Sequence, residues 1–346
     1  MDLAFALDQN PLGAIMGPRT ASLVVAAALC FSSGSPGQEP AGRALPRFAS
    51  DVDVVNLSVS VADTGRRYVT DLGKQDFTVL EDGIPQQLSV FDQQEAPVSV
   101  SILIDCSLSM QPNMAMVQGA ALRLIQALRP MDSAQIVRFN HRHMVVQDFT
   151  SDQRLLEAGI RSIRPEGATG LYNAVYLSLR DVARQLVAGE VRKRAVVLLS
   201  DGADTTSLLS DDQVLDAARR AEVTVYAVGL GIATPAGASA LNDTGRARHF
   251  LTALTAETGG QPFFPRGLAE LDGVYDRIAR ELGTQYSLGY VSSNARKDGK
   301  WRKVVVHSGR GGLVLRHRAG YFAVPAAGRS RTGIAPPAAT RTATAR

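Results

Sequence analysis

The stretch VSVSILIDCSLSM, Val98 to Met110, decides the fold of this chain. Val98 to Ile104 reads as an apolar run of the kind a strand needs when both its faces are covered. It breaks off at Asp105 into a polar D-x-S-x-S sequence. Working outward, Met114, Val117, Ala121, Leu124 and Leu128 recur at helical spacing. Ala134 to Phe139 and Met144 to Phe149 read as strands joined by the short Asn140-His141-Arg142 turn. Thr150 with Gln153 predicts a capping box for a helix through Ile163. Leu171, Val175, Leu179, Val182 and Leu186 form another amphipathic set, and Ala195 to Leu199 is a second buried strand. Ser210 with Gln213 predicts a further cap, and Val223 to Val228 a third buried strand. Phe250 to Thr258 is helical up to Gly259-Gly260, and Leu268, Leu271, Tyr275, Ile278 and Leu282 make the last helix. Alternation of buried strands with amphipathic helices predicts an α/β, Rossmann-like, doubly wound and mostly parallel sheet. The hairpin link after Phe139 predicts one antiparallel edge strand.

On both sides of this unit the period changes to two. Val55, Leu57, Val59 and Val61 alternate with polar residues, and Phe77, Val79, Leu88 and Val90 continue around the Glu81-Asp82-Gly83 turn. After Gln285, alternation returns in Tyr286, Leu288 and Tyr290, then in Trp301–His307, Leu313–Leu315 and Tyr321. Neither set has enough strands to close a core. The two are therefore expected to pair, 51–96 with 284–323, into one small β-sandwich bracketing an α/β domain at 97–283. Residues 35–50 read as a Pro/Gly linker and 324–346 as a disordered tail. Arg19, the apolar Ala21–Phe31 and the small residues Ser32–Ser35 have the order of a secretory signal peptide. That predicts a signal at 1–34, with Met16 a plausible true start and cleavage near Gly34. The expected location is periplasmic or secreted. If the segment is retained, it is the chain's membrane contact.

Length and composition bound the function. The 346 residues allow about two domains. A formal charge of +4 is too small to predict a nucleic-acid partner. Two cysteines exclude a disulfide framework, and five histidines without H-E-x-x-H argue against a His-ligated metal. There is no Walker A loop, so no nucleotide is expected, and no G-x-S-x-G for a serine hydrolase. His141 and His143 in the hairpin turn, and Arg192-Lys193-Arg194 beside a strand, are expected to be solvated.

In a doubly wound sheet, ligands bind beyond the carboxyl ends of the strands at the switch point. Three segments meet that description: Asp105-x-Ser107-x-Ser109, the Gly167-Ala168-Thr169-Gly170 loop, and Ser200-Asp201-Gly202. Their distinctive groups are all oxygen donors, the hydroxyls of Ser107, Ser109 and Thr169 and the carboxylates of Asp105 and Asp201. Hard divalent cations want such ligands. If the neutral hydroxyls bind directly and the carboxylates act through water, the ion stays electrophilic and seeks an anionic oxygen from outside.

This arrangement resembles the metal-ion-dependent adhesion site of von Willebrand factor type A domains, with the similarity running from about Pro97 to Leu282. Asp105, Ser107, Ser109, Thr169 and Asp201 match its five motif positions. The family implies a von Willebrand factor A fold, a Mg²⁺, Mn²⁺ or Ca²⁺ ion, and adhesion to a protein partner. Asp76–Gly83, Thr169–Tyr172, Thr258–Gly260, Gln285-Tyr286 and Arg318–Tyr321 also look like bacterial von Willebrand factor A-related proteins, which are typically exported. Asn173 departs from that group, which usually carries an acid there, and Cys106 is expected to be a small buried hydrophobe. The chain is thus expected to be an exported, non-enzymatic, metal-dependent binding module that grips a partner's Asp or Glu. A hydrolase or transferase using the same ion, and a metal-free scaffold, are the alternatives.

Overall fold

Period-two patterning at the N-terminal side becomes real strands. β1 (Val54–Asp63) buries Val55, Leu57, Val59 and Val61. β2 (Phe77–Glu81) and β3 (Ile84–Gln86) form a hairpin through Asp82 and Gly83, both at positive φ (48° and 84°). Two successive left-handed residues match the twist of a hairpin, and Asp-Gly is a favoured pair for them. β4 (Leu88–Asp92) follows. The computed structural model describes residues 54–93, 96–185, 192–232 and 243–324. The signal segment, the linker, the tail from 325 and Leu186 lie outside the described residues. Among the described residues no helix is long and apolar enough to cross a membrane.

The central unit runs β5 (Val98–Asp105), α1 (Met114–Gln126), β6 (Ser133–Phe139), β7 (His143–Thr150), α2 (Gln153–Ser162), α3 (Leu171–Ala183), β8 (Lys193–Ser200), α4 (Asp211–Ala221), β9 (Thr224–Gly229), α5 (Asp243–Thr258), β10 (Pro262–Phe263) and α6 (Leu268–Thr284). Its six-stranded sheet has the order β10-β9-β8-β5-β6-β7. Every pair is parallel except β6 with β7, as the hairpin link predicts. α1, α2 and α6 pack on one face, against Val100, Ile102 and Ile104. α3, α4 and α5 cover the other, against Leu103, Val196 and Leu198. Both faces are therefore sealed, which is why these strands are apolar throughout. β5 has β6 on one side and β8 on the other, so the strand order reverses between β5 and β8.

Local signals fare unevenly. α4 has the expected capping box, Ser210 accepting from Gln213 N and Gln213 accepting from Ser210 N. For α2 the expected Thr150 box is wrong: the N-cap is Asp152, whose carboxylate accepts from Arg154 N at 2.9 Å. Thr150 is still paired in β7 opposite Ala134, so the chain turns two residues later, at an equally good cap. At the end of α5, Gly259 sits at φ 80°, and a Cβ on Gly260 would run into the Val225 carbonyl of β9. One glycine reverses the chain and the next lets the backbones touch.

The Arg192-Lys193-Arg194 stretch is not a solvated edge. Lys193 is only 7% exposed and donates to the Gln285 carbonyl, just past α6, at 2.8 Å. Arg194 donates to Ala183, the last residue of α3. Because β8 is interior to the sheet, its cations end up serving orphan carbonyls at helix ends.

The remaining strands, β11 (Tyr286–Val291), β12 (Trp301–Ser308), β13 (Leu313–Arg316) and β14 (Gly320–Phe322), interleave with the first four. One sheet is β13-β1-β11-β4, in which N- and C-terminal strands alternate, and the other is β14-β12-β2-β3, in which the two sets meet at the central β12–β2 pair. Val59 lies opposite Tyr286 and Leu57 opposite Leu288, while Val79 lies opposite Val306. Val55, Leu57, Val79, Tyr290, Val306 and Tyr321 belong to one core shared by the two sheets. The fold is the α/β unit with the shared sandwich that the two patterns predict.

Candidate metal centre

The carboxyl ends of β5 and β8 lie side by side at the reversal of strand order, which brings Asp105 and Asp201 into one neighbourhood. Asp105 is fully buried. Its Oδ1 accepts from Ser107 N at 2.9 Å, and its Oδ2 accepts from Ser200 Oγ at 2.7 Å. Burial pushes its carboxyl up to about 6, against the pull of those two hydrogen bonds, and the negative charge of Asp201 adds to the rise. The rise marks a place where negative charge is held out of water.

Beyond Asp105, the chain extends through Ser107 (φ −63°, ψ 162°) into a short 3-10 turn over Leu108–Asn113. This brings the hydroxyls of Ser107 and Ser109 within 3.0 Å of each other. Ser107 is buried and Ser109 exposed, so the pair runs from the protein's interior to its surface. Two ligands in adjacent positions of an octahedral Mg²⁺ at its usual Mg–O length stand about 2.9 Å apart. The two hydroxyls therefore have the separation of two cis ligands, and the donor set fits a hard divalent cation. Among the described residues no cluster of three or more His, Cys, Asp or Glu side chains forms a metal site. The hydroxyls are what would complete this one.

Thr169 is buried on the loop before α3. Its carbonyl accepts from Thr205 N at 2.9 Å and Thr206 N at 3.0 Å, and its own N–H donates to Thr205 Oγ1. Those threonines follow Asp201, whose Oδ1 accepts from Ala203 N at 3.2 Å. On the other side Leu108 N donates to the Gly167 carbonyl, and Gly170 N to Asn140 O. The three predicted segments are thus one hydrogen-bonded assembly. Direct contact joins Ser107 to Asp105 and to Ser109, whereas Thr169 and Asp201 are tied to the rest through backbone and neighbouring hydroxyls.

Several supporting residues escaped the sequence reading. Ser200 is the bridge between the strand ends, since its Oγ also accepts from Gly202 N at 2.9 Å. Thr205 and Thr206 hold the Thr169 loop, and Asp204 accepts from Tyr172 N and Ser207 Oγ. The run SDGADTTS was their only signal. Asn173, where an acid is usual, accepts from Leu209 N at 3.3 Å and so fastens the same loop. Cys106 is buried as expected, its thiol pushed up to about 11 by burial. His143 is not solvated: it is partly buried against Ser178 Oγ at 3.1 Å, and burial lowers its affinity for a proton. It begins β7 and packs toward α3, whereas His141 two residues earlier is exposed.

Residues 100–203 match the family model of the von Willebrand factor type A domain. No curated protein matches the sequence. Among solved structures, a von Willebrand factor type A protein from Catenulispora acidiphila is similar at 12% identity, TM-score 0.45, over 79% of this chain and 75% of that one. The von Willebrand factor domain of the type V pili tip protein Mfa5 from Porphyromonas gingivalis is 14% identical, TM-score 0.44, over 54% of this chain and 95% of that one. Proximal thread matrix protein 1 of the mussel byssus, described with a zinc-occupied adhesion motif, is 15% identical, TM-score 0.43, over 57% and 48%.

Proposed function

From the premise that this chain carries a von Willebrand factor type A domain, we propose that it is an exported binding module whose domain grips an acidic residue of a protein partner through a divalent ion. The supporting observation is the hydroxyl pair of Ser107 and Ser109, 3.0 Å apart beside the buried Asp105 at the switch point of the sheet. Ser107, Ser109 and Thr169 would hold Mg²⁺ or Mn²⁺ (Ca²⁺ is the softer fit to a cis-hydroxyl edge this short) with Asp105 and Asp201 behind them. When bound, the ion supplies an electrophilic position for a carboxylate oxygen from outside. The protein's own groups do the positioning. Ser200 and Ser107 N fix both oxygens of Asp105, and Thr205 and Thr206 fix the Thr169 backbone. Both oxygens of Asp105 are thereby occupied, one by a backbone N–H and one by a hydroxyl, which favours binding over proton transfer and is why we read the module as non-enzymatic. Export is supported by the order of charge, apolar run and small residues before Gly34.

Calorimetry on the metal-free protein tests the reading. One Mn²⁺ or Mg²⁺ is expected per chain, with binding abolished in Asp105→Ala and Ser109→Ala while circular dichroism is unchanged. Partner capture should then need the ion and be lost with EDTA and in Thr169→Ala. Absence of divalent binding in the folded wild-type protein refutes it.

A further inference from the structure

A cavity of about 260 Å³ opens beside the candidate metal centre, lined by Cys106, Arg138, Asn140, Arg142, Met144 and Glu166 among others. Its walls are the loops that build the centre. Cys106 lies between Asp105 and Ser107, its carbonyl accepts from Glu166 N, and Asn140 O accepts from Gly170 N. The cavity is cationic in balance: two guanidiniums face one carboxylate.

Arg138 is the group that asks for an explanation. Its Nη1 donates to Glu166 Oε1 at 2.8 Å. Its other edge, Nε and Nη2, meets the sulfur of Met144 at 3.4 and 3.5 Å. A thioether is among the weakest acceptors a protein offers, and these are the two parallel N–H groups that grip a carboxylate in bidentate fashion. Met144 is 43% exposed on the edge strand β7, and its unbranched side chain can swing aside. The Arg138 side chain as a whole is 24% exposed, and its guanidinium, at the exposed end, is held by Glu166, so it is already aimed.

We infer that the Nε–Nη2 edge of Arg138 is a carboxylate receptor, and that it takes a second acidic residue of the same partner segment that reaches the metal centre. The identity of the partner rests on the function proposed above; the receptor stands on the cavity alone. Recognition then favours two carboxylates, one for the ion and one for Arg138, so a segment with a single acid binds but is discriminated against.

Methyl-¹³C-methionine NMR on the full chain tests the receptor without any metal. In EDTA, millimolar glutarate should shift the Met144 methyl resonance saturably, whereas sodium chloride at equal ionic strength should not. Arg138→Gln should abolish the shift. Glu166→Gln, on an exposed side chain that threatens no core, should tighten glutarate binding by removing the competing carboxylate. No shift with glutarate in folded wild type overturns the inference, whatever the metal does. In Mg²⁺, labelled Gly/Ser peptides with one Asp are then compared with peptides holding two Asp at several spacings. The best two-Asp peptide should bind about tenfold more tightly, an advantage lost in Arg138→Gln while one-Asp binding persists. Equal affinity for one- and two-Asp peptides at every spacing also overturns it. One-Asp binding indifferent to EDTA refutes the metal-centre reading instead, leaving the glutarate result to stand alone.

Discussion

Ser200→Ala separates the architecture of the candidate metal centre from its proposed chemistry. The Ser200 hydroxyl is fully buried and has two partners, donating to Asp105 Oδ2 at 2.7 Å and accepting from Gly202 N at 2.9 Å. Losing a hydrogen bond to a charged group costs about 1.5–3 kcal/mol, and a buried N–H left without an acceptor costs about 1–3 kcal/mol. The two losses share one atom and are not additive, so about 2–4 kcal/mol is expected in urea unfolding with EDTA. Ser200 is not a candidate ligand. Its effect on the ion must come through the orientation of Asp105, and outer partners of this kind are worth about 10–100-fold in metal affinity. Mn²⁺ calorimetry on the folded variant reads that quantity directly, and stability alone would not move it. A variant destabilised as expected but binding Mn²⁺ as tightly as wild type would show that Asp105 does not orient the ion's ligands. A stability change below about 1 kcal/mol would refute the hydrogen-bond reasoning itself.

Three further outcomes are expected. Glu281→Ala should cost about 3–5 kcal/mol in thermal or urea unfolding, because this fully buried carboxylate accepts from Ser60, Tyr68 and Arg316 and its loss strands a cation. Burial would raise the Glu81 carboxyl, but Ser292, Arg302, Tyr290 and Tyr321 donate to it and together hold it below its ordinary value. A depressed carboxyl stabilises the fold above the unfolded value near pH 4.3 and loses that contribution as pH falls through the folded value, so urea midpoints should drop on acidification and Glu81→Gln should flatten that limb. A fragment of residues 285–323 should be unfolded by circular dichroism, since β1 and β2 supply the inner partners of β11 and β12; a cooperative melt of that fragment alone would contradict the pairing.

What could be read from the chain follows from which interactions are periodic. β5, β8 and β9 announce themselves because both faces are apolar, and β1 because one face is. The pairing of the two terminal segments was legible only by elimination, since neither could bury a face alone. Ser107 and Ser109 were legible from the D-x-S-x-S spacing, although it is the 3-10 turn over Leu108–Asn113, and not an extended loop, that brings their hydroxyls together. Ser200 and Thr205 were not, because a hydroxyl bridging two strands depends on which strands are neighbours, and no local pattern carries that. The same cause lies behind the errors at Lys193 and His143. Each is polar and sits by a turn or a strand end, which locally means solvent, yet each is covered by an element far away in sequence. Lys193 meets the residue that follows α6, and His143 meets Ser178 of α3.

The sandwich also bears on how the α/β domain is held. Each of its sheets joins strands from before that domain to strands from after it, so neither sheet can form until both ends of the domain have been brought together. The junction is sealed by polar groups. Glu281 near the end of α6 accepts from Ser60 of β1, Tyr68 of the following loop and Arg316 of β13. Gln285, four residues on, donates to Ser60 and to Tyr226 of β9. A buried charge with several directional partners tolerates little sliding, since any displacement breaks charge-assisted hydrogen bonds where water cannot replace them. An apolar seam of the same area would permit more. α6 is therefore fixed along its axis by the sandwich, on the face of the sheet that also carries α1, the helix leading away from Ser107 and Ser109. A sandwich in this position braces the helix layer on one face of the sheet whose strand ends carry Asp105 and Asp201.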